Sequence, residues 1–239
     1  MIEEVQIEDM AIEGAITTEE LIQHMRERAA VYQFLSALLL KEFEAEQIVN
    51  LSSFASMEVD DVEMRQALAV IKRYMTMAGA DPRTDLAVDY ARIFLSAGVY
   101  EGITAEPYES VFTSEEHLLM QDARDDVLGF YRTLGVAVDP VLHMPEDHLG
   151  IEFEFMARAA QKTAELLAND NDGYGEVLQA IELQQQFAQV HILNWIDDLI
   201  AKVDEFAKLP VYPAFMRFAK AYTKQDEELL EELGNMLKD

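Results

Sequence analysis

His148 and Glu152 stand four residues apart, the spacing that puts two side chains on one face of a helix. An imidazole and a carboxylate so placed could give a metal ion two ligands, with His191 as the third. The chain would then be a helical metal-dependent hydrolase. The plainer reading of the pair is a capped helix start holding a hydrogen-bonded His–Glu couple, since two ligands fall short of a metal site. Phe187, His191 and Trp195 share a second helical face, where an imidazole between two aromatics reads as a buried, hydrogen-bonded residue.

Other catalytic chemistry finds no support. There is no G-x-S-x-G, P-loop, H-E-x-x-H or G-x-G-x-x-G, and no pair of Glu-x-x-His motifs for a di-iron centre. The chain has no cysteine, which excludes disulfides, thiol chemistry and cysteine-ligated zinc or iron–sulfur sites, and fits a reducing compartment.

The remaining candidates are aromatic and lie around a loop. Residues 89–94, Asp-Tyr-Ala-Arg-Ile-Phe, lead into an irregular stretch over 96–114 that holds Pro107, Tyr108, Ser110 and Phe112. A loop of that length in a compact domain suggests function, and its aromatics could either line a groove or seal the core beneath.

The elements that must carry these residues read as helices. Only 10 Gly and 6 Pro punctuate 239 residues, half of them apolar, and no alternating strand pattern occurs. Thr17 with Glu20 forms a capping box, and Ile22, Met25, Ala29, Tyr32, Ser36 and Leu39 make the stripe of a first long helix. Further helices are expected over 44–54, 59–77 and 85–95. Ser114 caps the next, with Glu115 and Glu116 in its first turn and a stripe of Met120, Ala123, Val127, Phe130 and Leu134. After a loop at 136–146, Asp147 caps a helix to about residue 168; a long helix follows over 175–206, then one or two over 214–237. The expected architecture is all-α, a compact bundle of about nine or ten helices. Residues 1–16 read as a loose acidic arm and 17–239 as a single helical domain, divisible into lobes 17–135 and 147–239 about the loop 136–146.

Charge narrows the partners. Against 18 Lys+Arg stand 46 Asp+Glu, a net −28, which disfavours nucleic acid and anionic lipid and favours a basic partner. The two ends, 1–20 and 225–239, supply −7 and −5, leaving −16 in residues 21–224. The richest apolar run, 31–40, is too short to cross a bilayer, and no basic residue precedes Arg26, so a secretory signal is not expected and the chain reads as cytoplasmic.

Several segments in order resemble one family. Residues 89–94, the run Pro107-Tyr108-Glu109-Ser110-Val111-Phe112, the run Pro145-Glu146-Asp147-His148 with Glu152 and Glu154-Phe155-Met156, then His191-Ile192-Leu193-Asn194-Trp195 and Tyr212-Pro213-Ala214-Phe215 are similar to the TorD/DmsD chaperones of molybdenum enzymes. The resemblance runs over roughly 20–235. It implies an all-helical, non-enzymatic cytoplasmic chaperone. Such a protein binds the twin-arginine signal peptide of a molybdenum oxidoreductase and holds it until the cofactor is inserted. It implies no resident cofactor, beyond weak guanine nucleotide binding or transient contact with the molybdenum cofactor, and a monomer or domain-swapped dimer.

Carried over residue by residue, Asp147 and His148 match the family's Pro-x-Asp-His motif, and Tyr90, Pro107, Tyr108, Ser110 and Phe112 match positions near its apolar groove. Met144 stands where the motif usually has Glu, and Tyr90 and Tyr108 where Trp is common. Arg92, Pro145, Glu152, His191 and Trp195 complete the expected peptide site. Asp147, Glu146, Glu116 and the pair Asp125-Asp126 are the carboxylates that could take guanidiniums. Three readings follow: signal-peptide chaperone, hydrolase with His148, Glu152 and His191, and adaptor for another basic amphipathic helix.

Overall fold

A computed structural model describes residues 17–97, 104–138, 143–169 and 174–238; the acidic arm read over 1–16 lies outside them. The described chain is all-α, with ten α-helices and one π-helical segment, and no strand beyond a single antiparallel bridge between Tyr108 and His148.

Local signals start most of the helices. Thr17 and Glu20 close the capping box of α1 (Thr18–Leu40), each side chain bonding the other's backbone N–H. Following α2 (Ala45–Phe54), Asp61 caps α3 (Val62–Met77). Asp81 caps α4 (Pro82–Phe94), where Pro82 stands in the first turn and loses no needed N–H. The long loop holds a short α5 (Glu109–Thr113), and α6 (Asp122–Leu134) ends on Gly135 in the left-handed region. Then come α7 (Leu149–Leu167), α8 (Tyr174–Phe187), the π segment (Ala188–Leu193), α9 (Ile196–Phe206) and α10 (Val211–Met236).

The most extensive helix pair is α1 on α7, with α10 laid against α3 and α8. The stripe of α1 buries Ile22, Met25, Tyr32, Ser36 and Leu39. Gly150 lets α7 approach: a Cβ there would come within 2.9 Å of the Leu40 side chain. Four helices also meet at a buried polar network. The guanidinium of Arg28 (α1) donates from Nε and Nη2 to the two oxygens of Asp226 (α10), at 2.5 and 2.8 Å, and from Nη1 to Gln184 (α8) at 2.9 Å. Tyr32 donates to the same Asp226, and Gln184 reaches Thr163 on α7.

The structure departs from the sequence reading in three places. Ser114 caps nothing, and Glu115 and Glu116 are not helical; residues 115–121 form an irregular turn and α6 begins only at Asp122. Bonds from outside the local pattern hold that turn: the Gln121 N–H donates to Ser110 Oγ and His117 Nδ1 contacts the Val111 carbonyl. The helix expected over 175–206 is interrupted by the π segment and by Trp195, whose indole N–H takes the His191 carbonyl at 2.6 Å. The last helix, expected as one or two from residue 214, is one helix that begins at Val211, before Pro213, which its first turn accommodates.

Asp226→Ala leaves the Arg28 charge buried without its partner. Urea unfolding is expected to show a loss of about 3–5 kcal/mol, while Arg28→Met combined with Asp226→Leu recovers much of it.

Candidate functional site

Two loops carry most of the candidate residues, and the fold joins them. The Glu109 N–H donates to the Asp147 carbonyl at 2.9 Å and the Leu149 N–H to the Pro107 carbonyl at 2.8 Å, flanking the Tyr108–His148 bridge. Between these bonds the fully buried Asp147 accepts the Ser110 N–H on Oδ2 at 2.9 Å. Asp147 therefore caps α5, not α7 as the local pattern suggests. The cap of α7 is His148, whose Nδ1 accepts the Gly150 N–H at 3.0 Å. Neither Glu152 oxygen has a hydrogen-bond partner, so the expected His148–Glu152 hydrogen bond is not made. The His148 ring packs edge-on to Tyr108, centroids 4.9 Å apart. Burial alone pushes the His148 imidazole down to about 3, so it is neutral at ordinary pH.

A second layer lies beneath. Glu109 is buried and turned to the π segment, accepting from Asn194 Nδ2 at 3.1 Å on one oxygen and meeting His191 Nδ1 at 2.8 Å on the other. Half-buried Phe112 stacks on Trp195 at 5.3 Å between centroids. Glu152 is wholly buried, and neither carboxyl oxygen has a hydrogen-bond partner. Glu109 and the Trp195 indole come near it without hydrogen-bond geometry. Burial, and after it the charges of Glu109 and Asp147, hold the Glu152 carboxyl well above the usual range.

The remaining candidates separate from this cluster. Tyr90 lies in the core rather than on a groove: its hydroxyl donates to the Leu39 carbonyl at 2.7 Å and its ring meets Phe94 and Tyr212. Arg92 pairs with buried Asp89, which accepts the Lys208 and Leu209 N–H groups and so fixes the turn into α10. Glu146, beside half-buried Pro145, holds Arg124 at 2.5 Å. Glu116 is exposed on the irregular turn, with Asp125 and Asp126 exposed on α6. Pro107 and Ser110 are buried.

His148, Glu152 and His191 do not form a ligand set. Among the described residues no three His, Asp or Glu side chains are placed to hold a metal ion, so the hydrolase reading has no centre. Asn194 and Arg124 are members of the site that the sequence analysis did not single out. Asn194 follows His191 by three residues, a spacing that could have pointed to one shared acceptor.

The fold is thus an all-α bundle whose buried polar groups tie two loops together, with exposed carboxylates beside them. Residues 58–201 match the family described as nitrate reductase delta subunit. Similar proteins include the chaperone protein TorD of Vibrio cholerae serotype O1, 29% identical over 217 residues that cover 86% of this chain and 93% of that protein. TorD of Vibrio parahaemolyticus is 24% identical over 85% of this chain and 94% of its own length, and TorD of Shewanella amazonensis 25% identical over 85% and 92%. The chain belongs to this family of nitrate reductase delta subunits and TorD chaperones, as the ordered motifs suggested.

The two perturbed groups act on stability in opposite senses. His148 titrates near 6.5 when unfolded and near 3 when folded, so its contribution is complete above pH 6.5 and is lost as pH falls through that window. Glu152, ordinarily 4.5 and raised in the fold, costs stability as pH rises above 4.5. Urea midpoints measured against pH should show His148→Asn flattening the acid limb, and Glu152→Gln at least as stable as the parent at pH 8 with its advantage gone near pH 4.

Proposed function

We propose that the chain is a cytoplasmic maturation chaperone for a molybdenum oxidoreductase, and that it binds the twin-arginine signal peptide of that enzyme before export. The observation that carries this reading is the match to chaperones along 86% of the chain, spanning both joined loops. Three further facts support it. No described helix is long and apolar enough to cross a membrane. The rim carries exposed carboxylates at Glu116, Asp122, Asp125 and Asp126. Glu146 seats one guanidinium, that of Arg124, the same charge-assisted bonding this reading asks of the exposed carboxylates toward a peptide arginine. The reading gives the chaperone no resident cofactor; molybdopterin belongs to the client.

Asp147 and His148 act in this reading as positioning residues. Both are buried and bond backbone N–H groups, Asp147 through Oδ2 and His148 through Nδ1, so in this reading they hold the surface that meets the peptide and do not themselves face it.

Trp195 is the chain's one tryptophan and stacks on Phe112, so its fluorescence reports on the site. Titration with a peptide bearing paired arginines and an apolar stretch should show saturable binding that weakens with salt. Replacing both arginines by glutamine should cost about tenfold or more. Equal affinity for the two peptides overturns the reading, as does mass spectrometry of co-purified proteins that finds a different basic helix as the partner.

A further inference from the structure

Nine of the twelve large apolar residues that the described chain exposes stand apart from one another in sequence, as is ordinary for a soluble protein. The other three are consecutive: Leu118, Leu119 and Met120 are 53%, 41% and 59% exposed. They occupy the irregular turn where a helix was expected.

That turn is fixed, not loose. His117 and Met120, neither of them glycine, sit at positive φ, 53° and 61°. A side chain is rarely held there unless its surroundings enforce it. The enforcing bonds are on both sides of the run: His117 Nδ1 to the Val111 carbonyl at 2.8 Å, the Gln121 N–H to Ser110 Oγ at 3.1 Å, and the Gln121 side-chain amide to the Leu119 carbonyl at 3.0 Å. Ser110 is in turn the residue that Asp147 holds. The apolar run is thus tethered directly to the locked pair of loops.

Charge selects the occupant. Glu115, Glu116, Asp122, Asp125 and Asp126 flank the run and are all exposed, while the one arginine among them, Arg124, is taken by Glu146 and Asp125. A second copy would bring the same carboxylates against themselves in a two-fold contact, which like charges oppose. An apolar segment led by cations meets both features.

We infer that Leu118-Leu119-Met120 is the docking surface for the apolar stretch that follows the arginines of the bound peptide. This rests on the function proposed above and adds the surface that receives the peptide's apolar part.

The test compares two peptides, one with paired arginines and an apolar stretch, one with the same arginines and a Ser/Gly stretch. The variant Leu118→Ser/Leu119→Ser/Met120→Gln alters only exposed side chains, and circular dichroism verifies its fold. It should bind the first peptide about tenfold more weakly than the parent and the second peptide unchanged. The control Val49→Ser/Met77→Gln, at exposed positions on α2 and α3, should bind as the parent does. Equal affinity of parent and triple variant for the first peptide overturns this inference and leaves the function standing. The same loss on both peptides, or a dimer by light scattering that the variant abolishes, overturns it too. If the parent binds neither peptide, the proposed function falls and this surface with it.

Discussion

A carboxylate removed from water costs several kcal/mol unless donors replace its hydration. This acidic chain nonetheless buries Asp89, Glu109, Asp147, Glu152 and Asp226. Four of them find donors far away in sequence. Asp226 on α10 takes the guanidinium of α1, Asp89 on α4 takes backbone N–H groups ahead of α10, Glu109 takes the imidazole and amide of the π segment, and Asp147 takes the N-terminus of α5. Apolar burial drives the helices together but tolerates many registers. Each buried carboxylate tolerates one, because a shifted helix would strand it without donors. These ties therefore select the arrangement that the core merely favours.

Glu152 is the exception, and its neighbours explain it. It is wholly buried near Glu109 and Asp147, and burial, then the charges of those two, hold its carboxyl well above the usual range. Glu109 and Asp147 each have a hydrogen-bond donor, whereas neither oxygen of Glu152 has one, and burial favours the protonated form of Glu152.

What could be read from the sequence was whatever is encoded locally. The stripe of α1, the Thr17 box and the Gly135 stop all lie within a turn or two of what they control, and each is found in the structure. Asp147 and His148 also stood out in the sequence, yet the bonds they make did not. An aspartate just before a helical pattern is read as its cap, whereas the donor it serves lies 37 positions earlier. Nothing local marks Arg28 as buried, because its partner is 198 residues away. Ser114-Glu115-Glu116 is a sound local helix start that tertiary bonds to Ser110 and Val111 overrule. The break at 188–195 was hidden for the same reason: the indole that competes for the His191 carbonyl looks like any aromatic on a helical face.

The net charge gains meaning once buried and exposed carboxylates are separated. The buried ones, Glu152 apart, are matched at close range and add little to the field outside. The rim acids, most of them unpaired, set the potential that a basic peptide meets, within a Debye length of about 8 Å at physiological salt. Such a field speeds encounter more than it strengthens the final complex. Retention needs apolar area on a receptor that does not have to reorganise, since ordering costs subtract from affinity. In the proposed complex the two tasks fall to different parts of one turn. Glu115 and Glu116 draw the arginines in, and the run behind them, held open by Ser110 and His117, slows the peptide's departure. Recognition of this kind requires that the turn be held in place before the peptide arrives, and the tie from Asp147 through Ser110 to Gln121 meets that requirement.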